Sequence, residues 1–349
     1  MKEIDVLKLL GITIAGDEVG IGHAKRIEGL FSAAERIGIE SELISFLIPK
    51  SDKQICQSIM ELQQSLMYTT DAVLVLDFDP IYLLSKSETF ENFLRDIVVR
   101  FPKIVIFDID GESSILKNFP FLTPELVVVP YGIDGRIKKG KLLHGFGYTI
   151  FSPEIIQLSK MTKEIAENPA RILVTAGGSD PYGIGVIFLD AVSRISDSDF
   201  IVVVIFGPHM NDAVRHEYIN TISQMSREVR IIDSPKSIAE IFADTDIALS
   251  SSGLTRNELL VCGIPTIVLN IDRNHALASE KLAKFGALIN AGTLSEMDRN
   301  DLVDSASMNL QNLIYDYDLR YSLMKKSRKL ISIHGADEIL KEIMKIWAN

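Results

Sequence analysis

Short apolar runs recur along the chain, and segments with helical periodicity separate them. In the first half the runs fall at 7–16, 41–47, 72–78, 103–109 and 125–131. Their nearly continuous β-branched content predicts strands buried on both faces, as in a parallel sheet. Helices are predicted between them near 23–38, 53–68 and 88–101. The alternation restarts at 172–178 and continues through 200–207, 229–233, 246–252, 265–271 and 287–292. Helices near 183–195, 210–226, 236–243, 255–262 and 274–285 intervene. From 295 onward the pattern predicts helices alone, the last over 336–348. Between the halves lie a Gly- and Lys-rich stretch, 132–147, and a helical segment, 152–172, stopped by Asn168-Pro169. Strand and helix repeated in this way predict two doubly wound α/β domains built on parallel sheets.

Bulk properties narrow the function. A length of 349 residues suits two cores. A hydrophobic content of 47% excludes a disordered chain. No apolar run approaches the ~20 residues of a membrane span, although peripheral membrane contact stays open. The opening MKEIDVLKLLGITIAGDE carries acidic residues and lacks a small-residue cleavage site after its apolar stretch, so no signal peptide is read and the cytoplasm is the expected location. The formal charge of −11 disfavours nucleic acid as a partner. It leaves room for a small anion held by backbone N–H groups at helix starts. Cys56 and Cys262 make neither a disulfide framework nor a zinc site. No metal and no other cofactor is expected, and the expected state is a monomer or weak dimer.

In open α/β sheets, ligands bind on loops beyond the carboxyl ends of strands. Four such loops carry candidate chemistry. The first is Gly16-Asp17-Glu18-Val19-Gly20-Ile21-Gly22-His23. Gly20 and Gly22 allow close backbone approach, but no third glycine completes the dinucleotide fingerprint, and no acidic residue ends the second strand. His23 falls in the first turn of the next helix, where the positive dipole end favours a neutral imidazole able to accept a proton. A capping or packing role is the plain alternative. The second loop, Gly177-Gly178-Ser179-Asp180-Pro181, is either a ligand approach or a tight turn. The third, Ser250-Ser251-Ser252-Gly253-Leu254-Thr255-Arg256-Asn257-Glu258, places hydroxyls and a glycine before a helix, as a diphosphate site would. There Glu258 either accepts from ribose hydroxyls or closes a capping box with Thr255. The fourth carries Asn274 and His275, which reach toward a sugar unless Asn274 merely caps its helix. Two strand-end pairs, Asp77/Asp79 and Asp108/Asp110, have the Asp-x-Asp spacing that holds a divalent metal in some sugar transferases, yet no further ligand cluster accompanies them.

Five segments occur in an order that resembles a known family: GIGHAKR (20–26), LLHGFGYTIFSPEI (142–155), ILVTAGGSDP (172–181), SIAEIFADTDIALSSSGLTRNELLVCGIPTIVL (237–269) and RNH (273–275). Together they resemble the nucleotide-sugar hydrolase of the pseudaminic acid pathway and the related spore-coat polysaccharide biosynthesis proteins. More distantly, the second half is similar to the N-acetylglucosaminyltransferase of peptidoglycan precursor synthesis. The resemblance implies the GT-B architecture, two Rossmann-like doubly wound domains facing across a cleft. It implies an N-terminal domain over 1–155, a nucleotide-binding domain over 156–332, and a C-terminal helix, 333–349, that crosses back to the first domain. It makes His23 the base that activates water, with Gly20 and Gly22 shaping its loop. Gly177, Gly178 and Ser179 would border the cleft. Gly253 and Thr255, beside Ser252, would hold a diphosphate, Glu258 the ribose and Asn274 the sugar. The chain departs from the family where Ser252-Gly253-Leu254-Thr255 replaces Gly-Gly-Ser-Thr and where His275 replaces Gln. The implied activity is hydrolysis of a UDP-sugar in surface polysaccharide synthesis, by inverting attack of water at the anomeric carbon. The alternatives are a GT-B glycosyltransferase and a non-catalytic nucleotide-sugar-binding protein.

Overall fold

A computed structural model describes residues 7–15, 22–47, 71–78, 88–108, 114–131, 136–137, 139–196 and 198–348. The helix predicted over 53–68 lies outside them, as do Gly20, Asp79, Asp110 and Tyr82. The chain divides into two compact units, one of Met1–Pro153 with Ile333–Asn349 and one of Glu154–Ser332.

The first unit is built on a parallel sheet of β1 (Lys8–Ala15), β2 (Glu40–Leu47), β3 (Val73–Asp77), β4 (Lys103–Phe107), β5 (Leu126–Val129) and β6 (Lys141–His144), in the order β2-β1-β3-β4-β5-β6. Side chains alternate between its two faces, so the inner strands are apolar at most positions. In β3, Leu74 and Leu76 pack with Phe90, Phe93 and Ile97 of α2 (Glu88–Val98). Val73 and Val75 pack on the other face with Ile27 and Leu30 of α1 (Gly22–Arg36). That second face is also covered by Ile339, Leu340 and Ile343 of the final helix (Gly335–Ala348). Burying each of these three side chains is worth about 1.5–3 kcal/mol. A short helix, α3 (Ser114–Asn118), follows β4.

The second unit repeats the architecture with β7 (Arg171–Thr175), β8 (Ile201–Phe206), β9 (Val229–Asp233), β10 (Ile247–Ser251), β11 (Thr266–Asn270) and β12 (Ile289–Thr293), ordered β12-β11-β10-β7-β8-β9. Its helices are α4 (Pro153–Lys160), α5 (Ile184–Ser193), α6 (Asp212–Ser223), α7 (Ile238–Ala243), α8 (Leu254–Val261), α9 (Arg273–Lys284), α10 (Arg299–Tyr315) and α11 (Tyr317–Leu330). The final helix, on the first unit, is α12. All described strand pairs in both sheets are parallel.

Two segments differ from the sequence pattern. The Gly- and Lys-rich stretch contains β6, an edge strand in which only Leu143 is buried, so no apolar run announces it. The helix expected to run from 152 to the Asn168-Pro169 stop ends at Lys160. Beyond it, α11 takes over the backbone: Arg328 donates to the carbonyls of Ser159 and Met161, and Arg320 to those of Ala166 and Glu167. Carbonyls satisfied by guanidinium groups need no helical N–H.

Candidate functional site

Each sheet reverses its winding once, and in open α/β sheets ligands bind beyond the carboxyl ends of the strands at such a reversal. In the first unit the reversal lies at β1, with β2 on one side and β3 on the other. His23 is the second residue of α1, which follows β1, and Asp77 is the last residue of β3. His23 Nδ1 lies 2.6 Å from Asp77 Oδ1. Arg26, one helical turn beyond His23, grips the same carboxylate with Nε on Oδ2 at 2.6 Å and Nη2 on Oδ1 at 2.8 Å. Its Nη1 donates to the Tyr131 hydroxyl, and its guanidinium lies 5.5 Å from the Tyr131 ring centre and 5.9 Å from that of Phe107.

The contacts assign the proton on His23. A carboxylate 2.6 Å from a ring nitrogen needs a hydrogen between them, so Nδ1 carries it. Arg26 Nη2 also comes within 3.2 Å of Nδ1, but two donors make no bond, and the carboxylate takes precedence. The lone pair is then on Nε2, which meets no hydrogen-bonding group among the described residues. Asp77 is wholly buried, and burial pushes its carboxyl up. The charge of Arg26 and the hydrogen bonds from Arg26 and His23 outweigh burial and hold it below the ordinary carboxylate range. Burial opposes the Arg26 charge as well, and Asp77 with Tyr131 holds it in place.

In the second unit the reversal lies between β7 and β10. After β7, Gly177, Gly178 and Ser179 lead into Asp180, a buried residue with φ 44°. Asp180 accepts from the backbone N–H of Ile184 at 2.9 Å and Gly185 at 3.0 Å, and from the Tyr218 hydroxyl at 2.6 Å. It thereby tethers the loop to the start of α5. Gly207, after β8, supports the loop from behind: a Cβ there would sit 2.3 Å from the carbonyl oxygens of both Gly177 and Gly178. His209 N–H donates to the Gly178 carbonyl at 2.9 Å.

After β10, Ser250, Ser251 and Ser252 are buried, and exposed Gly253 stands at the N-cap of α8. No side chain caps this helix start. Thr255 is its second residue, so the Thr255–Glu258 capping box does not form. The Ser252 hydroxyl is buried without a hydrogen-bond partner, as is Asn257 Nδ2 one turn on. A Cβ on Gly253 would meet only open space. A helix start with unused N–H groups, an orphaned hydroxyl and a bare glycine suits an anion. After β11, Asp272 caps α9 rather than Asn274; it accepts from His275 N–H at 3.0 Å and from His275 Nδ1 at 2.9 Å. Asn274 is exposed in the same first turn.

Thus Gly178, Ser179, Ser252, Gly253, Thr255, Glu258, Asn274 and His275 all follow three adjacent inner strands of one sheet, β7, β10 and β11. Gly22 and His23 follow β1 of the other. The metal spacing is otherwise engaged: Asp77 is held by Arg26 and His23, and Asp108 accepts from Ser114 Oγ and Ile115 N–H at the start of α3. Two surface hollows, of about 580 and 480 Å³, lie at the opposite, amino-terminal ends of the strands, by Lys8 and Glu40 and by Lys163 and Asp246. Neither contains any of these residues. The sequence reading missed Arg26, Tyr131 and Tyr218. The one available signal was the three-residue step from His23 to Arg26, which puts both on one helix face.

No family model matches the chain. It is 25% identical over 279 residues to an uncharacterized protein of Methanocaldococcus jannaschii, covering 75% of this chain and 55% of that protein, so only about half of the relative's length is represented. It is 24% identical over 272 residues to the spore coat polysaccharide biosynthesis protein SpsG of Bacillus subtilis, covering 70% of this chain and 77% of SpsG. Among solved structures, S. aureus MnaA in its co-structure with UDP superposes with a TM-score of 0.69 at 15% identity, over 97% of this chain and 96% of that one. The fold is GT-B. In this GT-B chain, as the sequence pattern predicted, both sheets are parallel and doubly wound. Among the described residues, no helix is long and apolar enough to cross a membrane.

Proposed function

We propose that the chain is an enzyme of polysaccharide synthesis that hydrolyses a UDP-sugar. The observation that carries this reading is the Asp77–His23 pair, which leaves Nε2 of a half-buried imidazole as a proton acceptor at a sheet reversal. The likeness to MnaA solved with UDP and to SpsG supplies the substrate class.

In the proposed step Nε2 of His23 removes a proton from water as the water oxygen attacks the anomeric carbon. A new C–O bond forms and the bond to the β-phosphate oxygen breaks. Its electron pair leaves with UDP, and the configuration inverts. Ser252, Gly253 and Thr255, at the start of α8, hold the diphosphate and stabilise the charge that develops on it. Glu258 accepts from the ribose. Gly178 and Ser179 line the nucleotide side, Gly22 leads directly into His23, and Asn274 with His275 meets the sugar. A base alone suffices because UDP leaves as a stable anion. An acceptor hydroxyl in place of water would make the same base serve a transferase.

The test is incubation with a panel of UDP-, CDP- and GDP-sugars, with and without sugar acceptors, followed by 1H and 31P NMR. The expected result is UDP release without acceptor and a free sugar of inverted anomeric configuration. His23→Ala should retain UDP binding and lose turnover. Consumption only when an acceptor is present would replace hydrolysis by transfer. Failure to bind any nucleotide would overturn the reading.

A further inference from the structure

We infer that Arg26 is a positioning residue that decides which imidazole nitrogen of His23 is available to take a proton. The proton assignment stands on geometry alone; only its catalytic consequence rests on the proposed role of His23.

The inference starts from the seat of Asp77. It is 0% exposed at the end of an inner strand, and its partners among the described residues are Arg26 and His23. An ionised carboxylate buried there needs a fixed cation beside it. Arg26 supplies one, with two parallel N–H bonds and a guanidinium that is itself 3% exposed. The Tyr131 hydroxyl and the faces of two aromatic rings hold the guanidinium in turn. The ion pair therefore fixes Asp77 as an acceptor. An acceptor facing Nδ1 demands the Nδ1–H tautomer, and the lone pair falls on Nε2.

Without Arg26 the logic inverts. Burial then dominates, and the carboxyl retains its proton. A carboxylic acid facing Nδ1 donates its O–H, so Nδ1 becomes the acceptor and the ring proton moves to Nε2. The outward nitrogen is then a donor and cannot act as a base. Arg26 is itself buried, yet it selects the reactive nitrogen through one intervening carboxylate. Lysine cannot do the same, because a point charge on a flexible stem does not hold both carboxylate oxygens.

The experiment reads the tautomer directly. Full-length protein labelled with 15N-histidine is examined at pH 8 by long-range 1H–15N correlation, with His23→Gln identifying the His23 signals. The parent protein should show the Nδ1–H pattern. Arg26→Gln should move the ratio of the two tautomers at least tenfold toward Nε2–H. A folded Arg26→Gln protein that keeps the Nδ1–H pattern overturns the inference. Should that variant not fold, Asp77→Asn replaces it at equal volume. There the donors of Arg26 claim the amide oxygen and turn the NH2 toward Nδ1, so the same shift is expected. Persistence of Nδ1–H in Asp77→Asn overturns the inference equally. Nucleotide release measured alongside separates the two ideas: a tautomer shift in a protein that cleaves no nucleotide-sugar supports the role of Arg26 and removes the hydrolase.

Discussion

Two carboxylates occupy similar seats in the two units and meet opposite fates. Asp77 ends β3 beside one sheet reversal, and Asp180 follows β7 beside the other. Both are buried, at 0% and 3% exposure. Asp77 faces a guanidinium and lies below the ordinary carboxylate range. Asp180 is pushed up by burial, and the hydrogen bonds from Tyr218, Gly185 and Ile184 do not fully compensate. Neutral donors satisfy an anion's lone pairs but do not match its charge. One unit therefore holds a charged carboxylate that can orient a histidine, and the other holds a carboxyl that tethers a loop.

The sharpest way to break this contrast is to remove the cation. Arg26→Met strands Asp77 in the core and should cost about 3–5 kcal/mol in a urea melt. A loss no larger than that of Tyr218→Phe would mean the two carboxylates are alike. Tyr218→Phe withdraws one neutral donor from Asp180 and should cost about 1–3 kcal/mol. The pH dependence should also differ in sign. The folded value of Asp77 lies below its unfolded one, so its contribution is complete above about pH 4 and is lost as pH falls through the folded value. The folded value of Asp180 lies above its unfolded one, so its contribution is complete below about pH 4 and is lost as pH rises through the folded value. Asp180→Asn should therefore be most destabilising relative to the parent near pH 4 and less so near pH 7.5, measured by paired urea melts. The smallest effect on folding belongs to Ser252→Ala, which removes an orphaned hydroxyl. Stability should change by no more than about 0.5 kcal/mol. UDP affinity by calorimetry should fall by roughly threefold to tenfold, the worth of one hydrogen bond of about 0.5–1.5 kcal/mol.

The parallel sheets were legible because inner strands buried on both faces must be apolar throughout, as VLVL at 73–76 and IVVVIF at 201–206 show. The edge strand β6 was not, since one buried leucine leaves no periodicity. Helix α4 was overread because its continuation is suppressed by Arg320 and Arg328, which lie more than a hundred and fifty residues away in sequence. The position of His23 at a helix start followed from the glycines before it. The ion pair did not follow. An Asp-x-Asp at a strand end reads alike for a metal and for an arginine, and Arg26 three positions past His23 looks like one more solvated helical cation. Only burial separates those possibilities, and burial is a property of the packed chain.

The seat of α12 has a consequence for the order of assembly during translation. Ile339, Leu340 and Ile343 complete the same apolar layer as Leu9, Ile27 and Leu30, so β1 and α12 share one core. The nascent N-terminal unit leaves the ribosome with that layer uncovered, and the whole second unit is synthesised before its cover arrives. Unit two can close upon itself as it emerges; unit one must wait for α12.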